Sequence, residues 1–330
     1  MFNSDILFNI FKFMKINDKY NLSLVSKQFN DTYNINLLWS HYYSEYNELT
    51  EAKYTKFMYD TNDFMTIKKI YCLSKLNKLI KKNDIVELYN ETYINLCSRN
   101  LINIPLLELK YLTNLETLYL DQNSLLQIPS EIGNLINLKN LSFTFNQIIE
   151  IPPELCNLIN LQKLCFFDNK ISKIPIEIEK LTNLQELLLC HNQITQVPSN
   201  FNKLIKLERL LLDNNKITHI PLEIYDLINL QELSFSHNKI TKISSKIGNL
   251  ANLHTLRLSN NKIIQLPFEM IYLNNLKLLV IDKIPIKPSE FKNLNNSIIY
   301  EMDNYNYSYV DLFIHKFVQY ISPLYCYIWY

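Results

Sequence analysis

The chain has 330 residues, enough for one long domain or two domains of ordinary size. Lys and Arg number 33 against 32 Asp and Glu, so the chain lacks the basic surplus with which general nucleic-acid-binding proteins neutralise phosphates. Hydrophobic residues make up 48% and charged residues 20%, which is typical of a packed globular protein and excludes a disordered one. With only 2 glycines, the sequence also excludes the glycine-rich loops that hold nucleotide phosphates.

The first 46 residues carry apolar residues at helical spacing. Those of the first predicted helix include Ile6, Leu7, Ile10 and Phe11. The pair Asn17-Asp18 interrupts this helix, and a second apolar run and Leu38-Trp39 follow. We expect three short helices in residues 1–46. Because so small a unit buries little apolar surface alone, it relies on a partner or on the adjoining chain.

This segment resembles an F-box. That family has an apolar first helix, then D-x-x-x-L-x-x-V-S-K-x-[WF], then L-W, and the matching residues here are Asp18, Leu22, Val25, Ser26, Lys27, Phe29, Leu38 and Trp39. The family usually begins with Leu-Pro, whereas this chain has Asn3-Ser4-Asp5. The resemblance implies a set of residues that face the adaptor subunit of a cullin–RING ubiquitin ligase or build the F-box core: Ile6, Leu7, Ile10, Phe11, Leu22, Val25 and Trp39. The alternative is a helical cap for the repeats that follow.

Residues 47–90 are predicted to form a helical connector and an N-terminal cap. Apolar residues between Phe64 and Leu73 have helical spacing and are accompanied by several lysines. This pattern is typical of a solvated face on a connecting helix, and contact with RNA or a membrane is the other interpretation.

A repeat dominates residues 91–286. Its most regular position recurs every 23 residues and is occupied by Asn123, Asn146, Asn169, Asn192, Asn215, Asn238 and Asn261. The frame LxxLxLxxNxIxxIPxxIxxLxN surrounds each of these asparagines, and about nine rows follow from it. A constant period of this length is typical of a solenoid, in which stacked coils share one continuous core.

Each part of the frame has a physical interpretation. The two leucines of LxL point to the same side of a short strand. The asparagine side chain offers both donors and acceptors, so we expect a ladder of amides that satisfies backbone groups where the chain leaves the strands. The Ile-Pro pair keeps the isoleucine extended, which predicts a convex side without long helices.

The frame resembles the leucine-rich repeat family. The resemblance implies an α/β solenoid, with a parallel β-sheet on the concave face of an arc and the small all-α unit in front of it. The end rows depart from the frame, as caps do, because Arg99 and Ile284 stand in the asparagine position.

The outward-pointing strand residues should form a concave, partner-binding face. We expect an exposed apolar stretch there, since exposed patches usually mark binding. The predicted binding residues are Tyr119, Phe145, Phe167, Leu188, Leu211 and Arg257. A further column alternates in sign through Lys163, Glu186, Arg209 and Glu232. Alternation predicts a cross-strand charge ladder, and a polar rim for a partner is the alternative.

We expect no catalytic centre, no metal site and no cofactor. The repeat spacing predicts that His191 lies near Asp168 and Asp213, but no serine or cysteine nucleophile completes a triad. The 6 cysteines lack the paired spacing of metal sites. The N-terminus lacks the pattern of a signal peptide, so a cytoplasmic or nuclear protein is expected and a secreted one is not.

The last segment, residues 287–330, is rich in aromatic residues. Polar residues such as Asp311, Lys316 and Gln319 interrupt the apolar window that a membrane span requires. We therefore expect no membrane partner, and we predict a C-terminal helical cap that seals the last repeat.

An F-box beside leucine-rich repeats implies a non-catalytic substrate-recognition subunit of a cullin–RING ubiquitin ligase, with the repeats holding the substrate. The bias towards Asn, Ile, Lys and Tyr also resembles F-box proteins of large DNA viruses, which would place the chain in a host cell. The alternative is a repeat scaffold that binds a signalling protein without any link to ubiquitin. Both interpretations predict protein partners and no nucleic acid.

Overall fold

The computed structural model describes residues 76, 79–80, 90–282 and 298–302. The chain divides into two units, Met1–Lys78 and Leu79–Tyr330. Leu76, Leu79 and Ile80 are helical. The F-box-like segment and the rest of the connector lie outside the described residues.

The described residues contain ten parallel strands in one sheet, each paired with the next in chain order. They are β1 (Tyr93–Asn95), β2 (Thr117–Tyr119), β3 (Asn140–Ser142), β4 (Lys163–Cys165), β5 (Glu186–Leu188), β6 (Arg209–Leu211), β7 (Glu232–Ser234), β8 (Thr255–Arg257), β9 (Leu278–Asp282) and β10 (Ile298–Met302). Equivalent residues of consecutive coils lie side by side, as Leu141 and Leu164 do. The 23-residue period of the sequence thus determines which residues of neighbouring strands pair.

The strands are short because only the LxL part of each coil is extended. In one coil, Leu187 and Leu189 point inward and are fully buried together with Leu184 and Ile194. Burial of each such side chain contributes about 1.5–3 kcal/mol. Since one coil cannot cover its own leucines, the contribution is realised only when coils stack.

The side opposite the sheet consists of short 3-10 helices. They are η1 (Ser130–Asn134), η2 (Pro153–Asn157), η3 (Ile176–Lys180), η4 (Ser199–Lys203), η5 (Leu222–Asp226), η6 (Ser245–Asn249) and η7 (Phe268–Tyr272), with the α-helix α1 (Leu106–Leu109) in the first coil. A proline precedes most of them, and its ψ is 148° at Pro221. Within the described residues, the prediction of a convex side without long helices is therefore confirmed.

Each coil turns at a residue with left-handed backbone geometry, directly before the repeated asparagine. The φ values lie between 52° and 54° at Gln122, Phe145, Asp168, His191, Asn214, His237 and Asn260. Asparagine, aspartate and histidine tolerate this geometry better than most residues. The sequence does not reveal this left-handed position, which here uses no glycine.

Glycine is required instead where neighbouring 3-10 helices approach each other. Gly133 lies in η1, and a Cβ added there would overlap the backbone oxygen of Glu154 in η2. At Gly248 the equivalent contact, with the backbone oxygen of Glu269, would be 2.8 Å. A side chain at either position can be accommodated only if the backbone of the next coil moves.

Replacement of Gly133 by alanine should therefore destabilise the solenoid. Overpacking of this kind costs about 1–3 kcal/mol, and it should lower the melting temperature measured by circular dichroism. Gly248→Ala is the matched variant, and its smaller overlap should give a smaller decrease. Equal melting temperatures for the wild type and Gly133→Ala would contradict the observed contact between η1 and η2.

The sheet extends beyond the predicted end of the repeats at residue 286. β10 pairs with β9 in parallel along five residues. It lies inside the segment 287–330, for which the sequence predicts a helical cap, and residues 303–330 lie outside the described residues. An extension is favourable because the free edge of β9 otherwise presents unpaired backbone N–H and C=O groups.

Candidate partner-binding face

The repeated asparagines hold the backbone in place at one edge of the candidate face. The Nδ2 group of Asn192 donates to the carbonyl oxygens of Phe166, Leu189 and Cys190 at 2.8, 3.1 and 3.2 Å. Its Oδ1 accepts the backbone N–H of Ile171 at 2.9 Å. One amide thus joins two coils, and equivalent bonds are made by Asn123, Asn146, Asn169, Asn215, Asn238 and Asn261.

The centre of the concave face is more buried than the sequence predicts. An exposed apolar stretch was expected, yet Phe167, Leu188 and Leu211 are only 3%, 4% and 0% exposed. They form a compact cluster with Cys165 and Cys190. The expectation of exposure is wrong for these residues because strands about 4.8 Å apart press equivalent side chains against one another. Their apolar surface is already covered.

The predicted binding residues that do keep accessible surface are Tyr119, Phe145 and Arg257, each half-buried. Tyr119 packs edge-on against Tyr93, with ring centroids 5.6 Å apart. Phe145 packs edge-on against Phe167 at 5.4 Å. The accessible aromatic surface therefore lies in the first half of the sheet, whereas Arg257 lies near its other end.

A charge ladder crosses four strands at one edge of this face. Lys163 Nζ is 2.8 Å from Glu186 Oε1, and Arg209 lies between Glu186 and Glu232 at 3.3 and 2.8 Å. Arg257 also contacts Glu232 and lengthens the ladder beyond its predicted end. Burial alone would raise the pKa of Glu232, but the charges and hydrogen bonds of the two arginines lower it below its ordinary value. The alternating signs thus pair with each other, as the cross-strand interpretation predicts.

Two matching carboxylate sites lie in the same face, four coils apart. Asp213 Oδ1 accepts the Ser234 hydroxyl at 2.5 Å and the Ser236 backbone N–H at 2.6 Å, and Cys190 Sγ lies 3.6 Å from Oδ2. At Asp121 the same positions are taken by Ser142, Thr144 and Cys97. Burial raises the pKa of both carboxyl groups, although the hydrogen bonds act in the opposite direction. The sequence shows the aspartates but not that each one joins three coils.

The raised pKa of Asp213 predicts the direction of a pH effect. A group whose pKa is higher in the folded state stabilises the fold fully below its unfolded pKa, and this contribution is lost as the pH rises through the folded pKa. Asp213→Asn removes the ionisation but keeps an oxygen acceptor for both donors. The wild type should therefore lose stability relative to the variant as the pH rises from about 3.8.

Urea denaturation of both proteins at several pH values between 4 and 7 measures this difference. A difference that stays constant across the range would show that the carboxyl group keeps its ordinary pKa in the folded protein.

The remaining candidate chemical groups form no reactive centre in the described residues. Burial raises the pKa of Cys156 and Cys165 to about 12, so these thiols are protonated at neutral pH. His191 Nε2 lies 3.1 Å from Asn214 Nδ2, and burial lowers the pKa of its imidazole although the charge of Asp168 opposes this. No group of His, Cys, Asp and Glu among residues 90–282 has the arrangement of a metal site.

In the part of the chain that the structure describes, no helix has the length and apolar character to cross a bilayer.

Family models match both parts of the chain. Residues 2–40 match the F-box domain model. Residues 152–238 match a leucine-rich repeat region, residues 228–296 match a model of two leucine-rich repeats, and residues 114–135 and 137–158 each match a single leucine-rich repeat. A search of curated proteins found no match.

Solved structures with a similar fold include a leucine-rich repeat protein, an internalin and a receptor. A leucine-rich repeat protein of Leptospira interrogans shares 35% identity at a TM-score of 0.55, covering 63% of this chain and 59% of its own. An internalin of Listeria monocytogenes shares 25% identity at a TM-score of 0.52, covering 68% of this chain and 72% of its own. A TDR receptor shares 25% identity at a TM-score of 0.53, covering 64% of this chain and 43% of its own.

The fold and the matches define the class of protein. The described residues form a leucine-rich repeat solenoid with a parallel sheet, which confirms the predicted fold class of the repeats. The N-terminal residues carry an F-box match. This combination indicates a protein that binds other proteins. The chain spans 59% of the Leptospira interrogans protein, so the role of that whole protein does not transfer to it.

Proposed function

We propose that this chain is the substrate-recognition subunit of a cullin–RING ubiquitin ligase. Residues 2–40 bind the ligase's F-box adaptor, and the repeats bind the protein that is to be modified. The observation that carries the proposal is the presence of an F-box match and a leucine-rich repeat solenoid in one chain. Each part is a binding module, so the chain brings the F-box adaptor and the substrate protein into one complex.

The repeats support this role through the shape and chemistry of their concave face. Its centre is buried and its backbone is held by the asparagine ladder, so the face offers a rigid surface for recognition. Rigidity lowers the entropy that binding must overcome. Aromatic and charged side chains with accessible surface surround the buried centre, namely Tyr93, Tyr119, Phe145, Lys163, Arg209 and Arg257.

We infer that the chain itself catalyses no reaction and requires no cofactor. The raised pKa values of the Cys156 and Cys165 thiols, which keep both protonated at neutral pH, support this inference. Other subunits of the ligase then transfer the ubiquitin. The function proposed for the chain places it in the cytoplasm or nucleus, and in the host cell if its source is a large DNA virus.

Capture of purified F-box adaptor by the full chain tests the proposed function. We expect the two proteins to co-elute in gel filtration. Val25→Asp should abolish co-elution, because it places a charge at an apolar position of the F-box motif. Asn30→Asp introduces the same charge just outside the motif and should leave co-elution unchanged. Failure of the intact chain to bind the adaptor would favour the repeat scaffold without a ubiquitin link.

A further inference from the structure

Phe145 is an exception among the left-handed residues of the solenoid. The other six occupants of this position are polar, namely Gln122, Asp168, His191, Asn214, His237 and Asn260. A bulky residue with φ of 54° is a conformational outlier, and such strain is found preferentially at functional sites. Phe145 is also only half-buried, so its ring remains accessible at the edge of the concave face.

The ring of Phe145 belongs to a row of three packed rings. Phe145 contacts Phe167 edge-on at 5.4 Å, and Phe167 contacts His191 at 4.9 Å with an angle of 48° between the planes. The amide of Asn214 holds the His191 ring through a hydrogen bond of 3.1 Å. Burial lowers the pKa of His191, so its imidazole is neutral at pH 7 and does not repel a cation. The three packed rings thus form a rigid aromatic surface.

Asp168 lies between Phe145 and His191, because the three residues hold the same position in consecutive coils. Its side chain is exposed. Within residues 90–282, one ion pair joins Lys139 to Glu116 and the others belong to the charge ladder, and none of them involves Asp168. The site therefore combines an accessible phenyl ring with a carboxylate that has no cationic partner in the described part of the chain.

We propose that Phe145, Asp168 and His191 form a binding site for an arginine side chain of the partner protein. The proposal rests on the proposed use of the concave face for substrate binding, and it specifies the substrate side chain that binds there. An arginine complements both halves of the site, since its planar guanidinium stacks on aromatic rings and also pairs with carboxylates through two parallel hydrogen bonds. A lysine lacks the planar group that would contact the ring and the carboxylate together.

The experiment titrates the full-length chain with N-acetyl-arginine amide and follows the ring signals of the histidines by NMR. His191→Gln identifies the signal of His191. We expect a saturable shift of that signal with a millimolar Kd. His237 is the internal control, because it has the same backbone geometry and a similar bond of 3.2 Å to Asn260, but polar neighbours in place of the phenyl rings. Its signal should stay unchanged.

Two variants and one compound identify the groups responsible. Asp168→Asn should raise the Kd about tenfold or more, because asparagine has no charge and offers only one of the two acceptor oxygens. Phe145→Leu should also weaken binding, since it removes the ring. Asp226→Asn changes an exposed aspartate of η5 and should have no effect. N-acetyl-lysine amide should bind about tenfold more weakly than the arginine compound.

Three results would overturn the arginine site: no saturable shift of the His191 signal, equal binding of the lysine and arginine compounds, or unchanged binding by Asp168→Asn with an intact fold. These results are independent of adaptor capture, which depends on residues 2–40. Loss of the arginine site alone would leave the ligase proposal standing, and loss of adaptor binding alone would leave the arginine site standing.

Discussion

Replacement of Asn192 by alanine should lower the free energy of unfolding of the solenoid by about 2–4 kcal/mol. The side chain is buried and donates to the carbonyl oxygens of Phe166, Leu189 and Cys190, while its oxygen accepts the N–H of Ile171. In the alanine variant, this N–H and these carbonyl groups lose their hydrogen bonds to the side-chain amide. Each buried polar group that becomes unsatisfied costs about 1–3 kcal/mol, reduced where another bond remains.

Urea denaturation followed by circular dichroism measures this loss. Asn160→Ala is the matched control, because Asn160 is exposed and makes one bond of 2.9 Å to the carbonyl oxygen of Ile136. Its loss should cost about 0.5–1.5 kcal/mol at most. If the two variants were equally stable, the buried asparagines would not hold the coils together in the way that the hydrogen bonds indicate.

Phe166→Ala should destabilise the repeats by about 3–5 kcal/mol. Phe166 is fully buried and stacks on Phe143 of the preceding coil, with centroids 5.2 Å apart and an angle of 8° between the rings. Alanine removes the ring and leaves a cavity that the neighbouring coils cannot fill, because their spacing is fixed by the sheet and by the asparagine ladder. The variant therefore loses the free energy gained by burying the ring, and the cavity adds a further cost.

Phe166→Leu provides the control, since Leu189 occupies the equivalent position in the next coil without disrupting it. We expect this variant to lose about 1.5 kcal/mol or less. Hydrogen exchange of the β3 to β5 amides shows whether the Phe166→Ala loss is local or spreads along the stack, as nearest-neighbour coupling allows. Indistinguishable unfolding of the Ala and Leu variants would contradict tight packing at this position.

The regular part of the fold could be predicted because the repeat encodes it directly. An LxL unit every 23 residues predicts parallel strands in register, and the structure confirms this from β2 to β9. The Ile-Pro pair likewise predicts a short, irregular convex side. These features depend on local spacing alone, which is why one coil is enough to predict the next.

The frame also carries a second asparagine ladder at its final position. The final asparagine of LxN donates to the backbone oxygen of the residue 24 positions earlier, in each case on the exposed side, and it does so at Asn137, Asn160, Asn183, Asn229, Asn252 and Asn275. Its regular spacing was the signal that would have revealed it.

The burial of the concave face could not be predicted from spacing. The sequence shows that Leu188 and Leu211 point away from the core of the coil, but it does not show how closely equivalent side chains cover one another across strands. The same limit applies to Asp121 and Asp213, whose hydrogen-bond partners come from different coils. Such properties depend on distances between coils, which only the folded structure provides.

The proposal that this chain carries substrates to a ubiquitin ligase is tested most directly by ubiquitin-remnant proteomics. Cells expressing the wild-type chain are compared with cells expressing Val25→Asp, and the proteins that each chain retains are identified in parallel. We predict one set of proteins that both chains bind equally but that carries less ubiquitin with Val25→Asp. Equal ubiquitin modification of these bound proteins in both cell lines would contradict the proposal and favour a repeat scaffold.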